Sequence, residues 1–443
     1  MERIYIDELK KHVGKTVTIA GWVDVRRDHG KLIFLDLRDK SGKVQMVALP
    51  NHTEAHALAH KLRSEWVIAV TGNVNERPAK MVNADDVNGS IEIEITEIAI
   101  LSEAEELPFA LDGELNLDTL LDHRPLTLRR SREQDIFKVQ EVIAKTYRSS
   151  LSKQGFTEFQ APALVGEDAE GGANVFKVSY FNEKDAYLAT SPQFYKQIMV
   201  GVYERAFTIT KVFRAEKHST SRHLNEYSSL DAEMGFIVDH QSIMKVLTDV
   251  LKEVATVLTE EHAQTFEKMG VTFPKLPDEI PHMKLREAQQ LIKHETGENC
   301  THEPDLEPEH ERWLCTYAKE KLESDFIFIT HYPVSKRPFY TYEDEEDPGF
   351  TKSFDLLFRG LEIATGGQRV HDYKMLIEKL NGRGLNPDMF SFYLEAFKYG
   401  MPPHGGWGMG LERLTARFLN LDNVREAALF PRDINRIDTL LSQ

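Results

Sequence analysis

Five β-rich segments crowd into the first hundred residues, and they limit the fold more than any other feature. They are TVTIAGWVDV (16–25), KLIFLDLRD (31–39), KVQMVAL (43–49), WVIAVTGNV (66–74) and SIEIEITEIAIL (90–101). Each alternates apolar and polar residues or runs as a short apolar stretch between turn residues. Lys40-Ser41-Gly42 turns the second segment into the third. A helical pattern interrupts the series once, at TEAHALAHKLRS (53–64), after the third segment. An open sheet of such strands leaves unpaired edges, and closure removes them. Five strands with a helix after the third predict a small Greek-key barrel of the kind that binds oligonucleotides.

The remainder of the 443 residues is too long to belong to that one core, so a second domain is expected. Residues 1–103 read as the barrel, 104–132 as a connector and 133–443 as an α+β domain. The α+β domain would be an antiparallel sheet flanked by helices. Its first element is a long amphipathic helix, SREQDIFKVQEVIAKTYRSSLSKQG (131–155), stopped by Gly155. A hydrophobic content of 41% and charged content of 28% describe a globular chain. No apolar run reaches the ~18–20 residues of a membrane span. The opening MERIYIDELKKHVGK lacks the apolar stretch of a signal peptide. Cys300 and Cys315 are too few for a disulfide framework, and a cytoplasmic setting is expected. A net charge of −17 argues against indiscriminate nucleic-acid binding but allows a local basic patch. No phosphate-binding GxGxxG or GxxxxGK[ST] stands at a strand–helix junction.

One basic patch lies on the barrel. Arg26, Arg27, His29 and Lys31 precede Phe34, and Arg38, Lys40, Lys43 and Gln45 follow. Cations for phosphates, an aromatic for stacking and an amide for a base edge suit a single-stranded nucleic acid. The bland reading puts Phe34 in the barrel core and the arginines in solvent.

Three charged constellations mark the larger domain. FRAEKHSTSRHLNEY (213–227) reads as strand, turn and strand. Arg214 suits an α-phosphate, Arg222 and His223 distal phosphates, Glu226 an adenine amino group and Tyr227 the adenine ring. In SFDLLFRGLEIATGGQRVHDY (353–373), Asp355, Glu362 and Thr365 suit Mg²⁺ bridging phosphates. Asp355 and Glu362 are seven apart, so a bend or a helix-like connection must bring them together. Arg369 in the same stretch offers a fork for a carboxylate. In GGWGMGLERL (405–414), alternating glycines leave a strand face bare for a flat ring, and Arg413 could cover that ring's other side. Each stretch alone suits a structural salt bridge or turn better than a site. Together they supply the parts of a site that forms an adenylate.

At these residues the chain resembles the class II aminoacyl-tRNA synthetases. FRAE…RHLNEY resembles the second motif of that class (213–236) and GMGLER the third (405–418). The helix and FTEFQAP resemble the first motif (around 140–162), in which Pro162 would face a dimer partner. FLDLRD and VQ on the barrel resemble subclass IIb. Within it the chain looks like an aspartyl-tRNA synthetase of the compact archaeal type. The resemblance implies ATP and Mg²⁺ as cofactors, L-aspartate and tRNA(Asp) as substrates, and a homodimer. It leaves open whether tRNA(Asn) is charged as well, and Asp24 matches no discriminating signature.

By the same resemblance the ATP set is Arg214, Glu216, Arg222, His223, Leu224, Glu226, Tyr227, Glu362, Gly410 and Arg413, with Arg214 and Arg413 catalytic. Glu170 in EDAEGGANVF (167–176) and Asp231 would meet the ammonium of aspartate. Ser191, Gln193 and Lys196 in TSPQFYKQ would line its pocket, with Thr365 nearby. Arg369 would grip the β-carboxylate. Arg27, Phe34 and Gln45 would read the anticodon, and KHSTS (217–221) would face the tRNA acceptor end. Lys196 with Arg369 sets two cations against a carboxylate, which disfavours neutral asparagine, and a lysyl enzyme would need acids there. Thr190, where glutamine is usual, and the C-terminal RDINRIDTLLSQ depart from the family pattern. The rivals are an asparaginyl-tRNA synthetase, an amide-forming paralogue such as an asparagine synthetase, and a nucleic-acid-binding barrel with an inactive second domain. The segment 257–330 reads as an insertion between the second and third motifs, and the sequence leaves its role open.

Overall fold

The computed structural model describes residues 2–84, 86–166, 174–217, 220–438 and 441. They form two compact units, 1–110 and 111–443. Most of the expected connector therefore packs with the larger unit. Arg124 is buried and donates to the carbonyls of Arg425, Glu426 and Ala428.

In the first unit, β1 (Thr16–His29), β2 (Leu32–Arg38), β3 (Lys43–Ala48), β4 (Val67–Glu76) and β5 (Ile91–Ser102) close a barrel in the order β1-β2-β3-β5-β4. Helix α1 (Thr53–Ala59) follows β3, as the sequence predicts. Alternation sorts the residues of β2 and β3. Ile33, Leu35, Leu37, Val44 and Met46 fill the core. Phe34 and Gln45 are left half-buried on the outer face.

In the second unit α2 (Leu117–Asp122) and α3 (Arg124–Thr127) lead into the long α4 (Ser131–Lys153). Gly155 ends α4's turn at a φ of +81°, a left-handed value that favours glycine. The larger sheet has eight strands among the described residues, in the order β12-β13-β14-β15-β16-β11-β10-β6. By chain position these are β6 (Thr157–Glu158), β10 (Arg205–Phe213), β11 (Glu226–Gly235), β12 (His282–Lys284), β13 (Phe326–Thr330), β14 (Ser353–Phe358), β15 (Leu361–Arg369) and β16 (His404–Gly410). A small sheet, β7 (Leu164–Val165), β8 (Lys177–Ser179) and β9 (Asp185–Leu188), precedes α5 (Gln193–Tyr203). Helices α6 (His240–Lys268), α7 (Leu285–Thr296), α8 (Pro308–Lys321), α9 (Tyr373–Gly382), α10 (Ser391–Lys398) and α11 (Leu411–Phe418) complete the set.

One face of the sheet is covered by α4, α6 and α11. Ile136, Val139, Ile143 and Tyr147 form the helical stripe of α4 and meet Leu247 and Val250 of α6. Leu230 and Ala232 of β11 and Trp407 and Met409 of β16 point into that core. The intervening residues of both strands face the other side, where the cavity lies. No helix among the described residues is long and apolar enough to cross a membrane.

Candidate functional site

A cavity of about 340 Å³ opens on the uncovered face of the sheet. Its floor is β11, β16 and β15, paired so that Asp231 lies opposite Gly408 and Gly408 opposite Thr365. Tyr227, Ser229 and Asp231 of β11 line it. Four residue steps at ~3.4 Å each separate Tyr227 from Asp231, about 14 Å. That is room for an extended ligand rather than a single ring.

Of the expected residues, the cavity gathers Ser191, Gln193, Lys196, Arg214, Glu216, Arg222, His223, Leu224, Tyr227, Asp231, Glu362, Thr365, Arg369, Gly410 and Arg413. Glu226 is an exception. It neighbours Tyr227 on a strand, so it faces the other way, towards Lys211 at 3.8 Å. Asp355 does not line the cavity either. A two-residue turn, Arg359-Gly360, with φ of +47° and +80°, joins β14 to β15 as a tight hairpin. The hairpin, not a bend within one strand, sets Asp355 opposite Thr365 and near Glu362. Asp355 pairs with Arg337 at 2.8 Å. Glu170 lies outside the described residues, as do residues 218 and 219 of the KHSTS loop.

The end of the cavity formed by the β10–β11 hairpin and α11 is tightly connected. Asn225 fixes the mouth of the β10–β11 hairpin, its Nδ2 donating to the carbonyls of Arg214 at 2.6 Å and Glu216 at 3.0 Å. The Arg214 guanidinium stands 5.7 Å from the Tyr227 ring centroid. His223 Nε2 lies 3.5 Å from Glu216. Arg413, near the start of α11, donates to the carbonyls of Glu362 at 3.1 Å and Arg222 at 3.4 Å. Arg222 is ion-paired to Glu311 of α8. Burial pushes the Glu311 carboxyl up to about 7, against the pull of Arg222. The segment 257–330, whose role the sequence leaves open, thus reaches the wall of the site through Glu311. Leu224, Val424 and Tyr227 cluster as an apolar patch on the same wall.

The other end holds a buried charge network that the sequence reading only half anticipated. Lys196 donates to Asp231 at 2.8 Å and to the Trp407 carbonyl at 2.9 Å, with Glu233 at 3.5 Å. Arg369 donates through Nε to Glu233 at 2.9 Å, and through Nη2 to Glu233 at 3.4 Å and the Gly406 carbonyl at 3.0 Å. The Glu233 carboxylate fills the space that a Cβ at Gly406 would need. The bare glycine face therefore accepts a carboxylate there, not a flat ring. Burial disfavours ionisation of Glu233, but Arg369 and Lys196 outweigh it and hold its pKa below the ordinary value. Lys196 and Arg369 are thus not two uncompensated cations, and acids do stand at this end. Both statements correct the charge argument made from sequence. Glu233, Asn225, Glu311, Lys336 and Arg337 were all missed. Glu233 alone carried a signal, because it shares Asp231's face two residues on.

Gln193 is oriented from behind. His404 Nδ1 donates to the Pro402 carbonyl at 2.8 Å, so its Nε2 accepts from Gln197 at 2.9 Å. The Gln197 oxygen then accepts from Gln193 at 2.9 Å. Burial pushes His404 down to about 4 from 6.5. The unfolded chain binds a proton between those values that the folded chain does not, so stability falls as pH drops through 6.5 towards 4. The effect is up to about 3 kcal/mol, at ~1.36 kcal/mol per pKa unit. Thermal midpoints measured across that window should fall more gently for His404→Gln than for the native chain. Equal slopes would contradict a neutral His404.

On the barrel, Arg27 pairs across the strands with Phe34, and Asp36 with Gln45. All three expected residues share the outer face. Phe34 is not a core residue, which removes the bland reading of it. His29 meets its ring edge-on at 5.6 Å. Arg27 is clamped by both oxygens of Asp36, at 2.8 and 2.9 Å. Arg26 pairs with Asp28 at 3.1 Å, and Lys43 with Asp24 at 3.4 Å. The patch is less basic than its composition suggests.

Comparison with known proteins agrees with this anatomy. The family described as tRNA synthetases class II (D, K and N) matches residues 116–434. The OB-fold nucleic acid binding domain matches residues 17–101. A Thermus thermophilus protein named Aspartate--tRNA(Asp/Asn) ligase is 46% identical over 98% of this chain and 99% of its own length. A Deinococcus radiodurans protein of the same name is 42% identical over 99% of each. An asparaginyl-tRNA synthetase from Pyrococcus horikoshii, solved with asparaginyl-adenylate, superposes with a TM-score of 0.91 at 32% identity and covers 99% of both chains. With both domains matched in order and a relative this similar along nearly its whole length, the chain belongs to the class II tRNA synthetases (D, K and N).

Proposed function

We propose that the chain is an aspartate–tRNA ligase that activates L-aspartate with ATP and transfers it to the 3′ end of tRNA(Asp). One observation carries the substrate choice. Arg369 has five N–H groups and spends three hydrogen bonds on Glu233 and Gly406. Two N–H groups of a rigid fork remain for a ligand carboxylate in the cavity that Arg369 lines. Lys196 is wholly committed to Asp231, Glu233 and Trp407, so it acts as a fixed positive charge beneath the ligand. Glu233 is engaged by Arg369 and Lys196, so it is not available to a lysine side chain. The names of the two relatives also favour aspartate, and they favour charging of tRNA(Asn) alongside tRNA(Asp).

In the first step the aspartate α-carboxylate attacks the ATP α-phosphorus. A carboxyl oxygen–phosphorus bond forms, the bond to the β-phosphate oxygen breaks, and pyrophosphate leaves. The nucleophile is already ionised, so positioning and charge neutralisation do the catalysis. Arg214 neutralises the α-phosphate. Arg222, His223 and Arg413 hold the distal phosphates, and Leu224 and Tyr227 receive the adenine. Asp231, with Glu170 beyond the described residues, takes the substrate ammonium. In the second step a terminal ribose hydroxyl attacks the mixed anhydride and AMP leaves.

The residues fit a divalent cation as well. Among the described residues no three His, Cys, Asp or Glu side chains gather as a metal cluster. Two carboxylates suffice for Mg²⁺ when phosphates and water complete its oxygen shell. Asp355 Oδ1 is buried without a hydrogen-bond partner, and burial pushes this carboxyl up to about 6. Asp355 and Glu362 would hold the ion, with Thr365 Oγ1 fixing Glu362 at 3.0 Å. Bound there, Mg²⁺ would neutralise part of the phosphate charge. Exposed Val202, Phe236 and Val238 support a homodimer, and the free, buried Cys300 and Cys315 suit the reducing cytoplasm.

Pyrophosphate exchange with each amino acid tests the reading. Aspartate should support exchange and asparagine should not; the reverse would make the chain an asparaginyl enzyme. Charging of tRNA(Asp) and tRNA(Asn) transcripts side by side settles the range. In the same assays Phe34→Ala should lower charging about tenfold, the worth of one lost base stack, and leave exchange unchanged. Equal loss in both would contradict an anticodon role for the barrel face.

A further inference from the structure

A buried carboxylate stands behind the distal end of the cavity and has no part in the scheme above. Glu311 lies on α8, and its side chain is 11% exposed. It does not line the cavity, whereas Arg222 does. Glu311 Oε2 accepts from Arg222 Nη2 and from the main-chain N–H of Glu362 at 3.1 Å. Arg413 completes the ring by donating to the carbonyls of Arg222 and Glu362. Arg222 is therefore held at its guanidinium by Glu311 and at its backbone by Arg413. Both holders are tied to the backbone of the same residue, Glu362, at the start of β15.

We propose that Glu311 is a positioning residue for the nucleotide, fixing the Arg222 fork so that its remaining N–H groups meet the distal phosphates of ATP. The inference rests on the reading of the cavity as an ATP site. Glu311 engages one of five N–H groups and leaves four. An untethered arginine samples many rotamers that must be given up when phosphates bind, and a tether removes that cost beforehand. Without the Glu311 charge, Arg222 would turn to carboxylates of the cavity wall itself, Glu216 and Glu362. An arginine paired there is lost to the ligand. The opposing effect is simple: removing an anion makes the wall more positive, which by itself favours ATP. The tether acts on geometry at the contact itself, whereas the missing charge acts through a partly hydrated wall, so the geometric effect dominates.

The test is a double-mutant cycle on the full-length chain in pyrophosphate exchange. Glu311→Gln should raise KM for ATP about tenfold, the order expected from freeing one long side chain, with a smaller change in kcat and in KM for aspartate. In an Arg222→Ala background the same change should add less than about twofold, because the tether then has nothing to hold. A KM for ATP that is unchanged or lowered in Glu311→Gln overturns the tether, and so do effects that multiply in the double variant. If Glu311→Gln does not fold, Glu311→Asp, which keeps the charge and shortens the reach, is read in the same way. An Arg222→Ala variant with native KM for ATP overturns the ATP reading of this wall as well. A raised KM in Arg222→Ala beside a native KM in Glu311→Gln overturns the tether alone.

Discussion

Arg369→Ala should abolish aspartate-dependent pyrophosphate exchange, a loss of about a thousandfold or more in kcat/KM, and should destabilise the larger domain by about 3–5 kcal/mol. The two effects have separate origins. Activity falls because the fork that meets the substrate carboxylate is gone. Stability falls because Glu233, with no exposed side-chain area, is left buried with only Lys196 beside it at 3.5 Å. A second substitution separates the two. Arg369→Ala with Glu233→Gln removes the stranded charge, so the thermal midpoint should recover most of its loss while exchange stays lost. Native aspartate kinetics in either variant would refute the assigned role. The pH dependence carries a matching signature. The pKa of Glu233 is held below its ordinary value of 4.5. Its ion pairs therefore stabilise the fold fully above that value, and the contribution disappears as pH falls through the lowered pKa. The double variant, lacking that carboxylate, should show a flatter acid limb than the native chain.

Arg214→Ala should reduce the rate of exchange about 10²–10³-fold, the usual loss when one donor to a developing charge is removed. The side chain is 37% exposed, so little stability should go with it. The backbone of Arg214 is fixed by Asn225 whatever the side chain, since Arg214 N–H donates to the Asn225 carbonyl at 2.9 Å and the Asn225 amide returns a bond. The loop should therefore keep its course in the variant. Arg214→Lys should recover only part of the rate, because a point charge does not reproduce a planar fork. A kcat within twofold of native in Arg214→Ala would remove Arg214 from the chemistry.

Much of this site was legible from local pattern, and what was not legible has identifiable physical causes. The barrel strands, the β10–β11 hairpin and the outward Phe34 follow from period-two alternation, which needs no distant information. Glu226 was misassigned because adjacency in sequence was taken as adjacency in space, which a strand reverses. The β14–β15 hairpin could have been read from Arg-Gly between two apolar runs. Its first position usually carries asparagine or aspartate, and arginine disguised it. Glu311 and Arg337 carried no signal. One arrives on a helix 89 residues from the arginine it holds, and the other lies in an aperiodic stretch between β13 and β14. Partners of this sort are set by tertiary packing alone: Glu311 meets Arg222 and Arg337 meets Asp355 only once distant elements pack together.

The strict division of β11 has an evolutionary consequence. Tyr227, Ser229, Asp231 and Glu233 serve the ligand side, while Leu230 and Ala232 serve the core. Inserting or deleting a single residue there would exchange the two sets wholesale, turning the acids into the apolar core and the apolar groups towards the cavity. Descendants of such a chain can therefore explore new substrates by point substitution at alternate positions, whereas changes of length in this strand are closed to them.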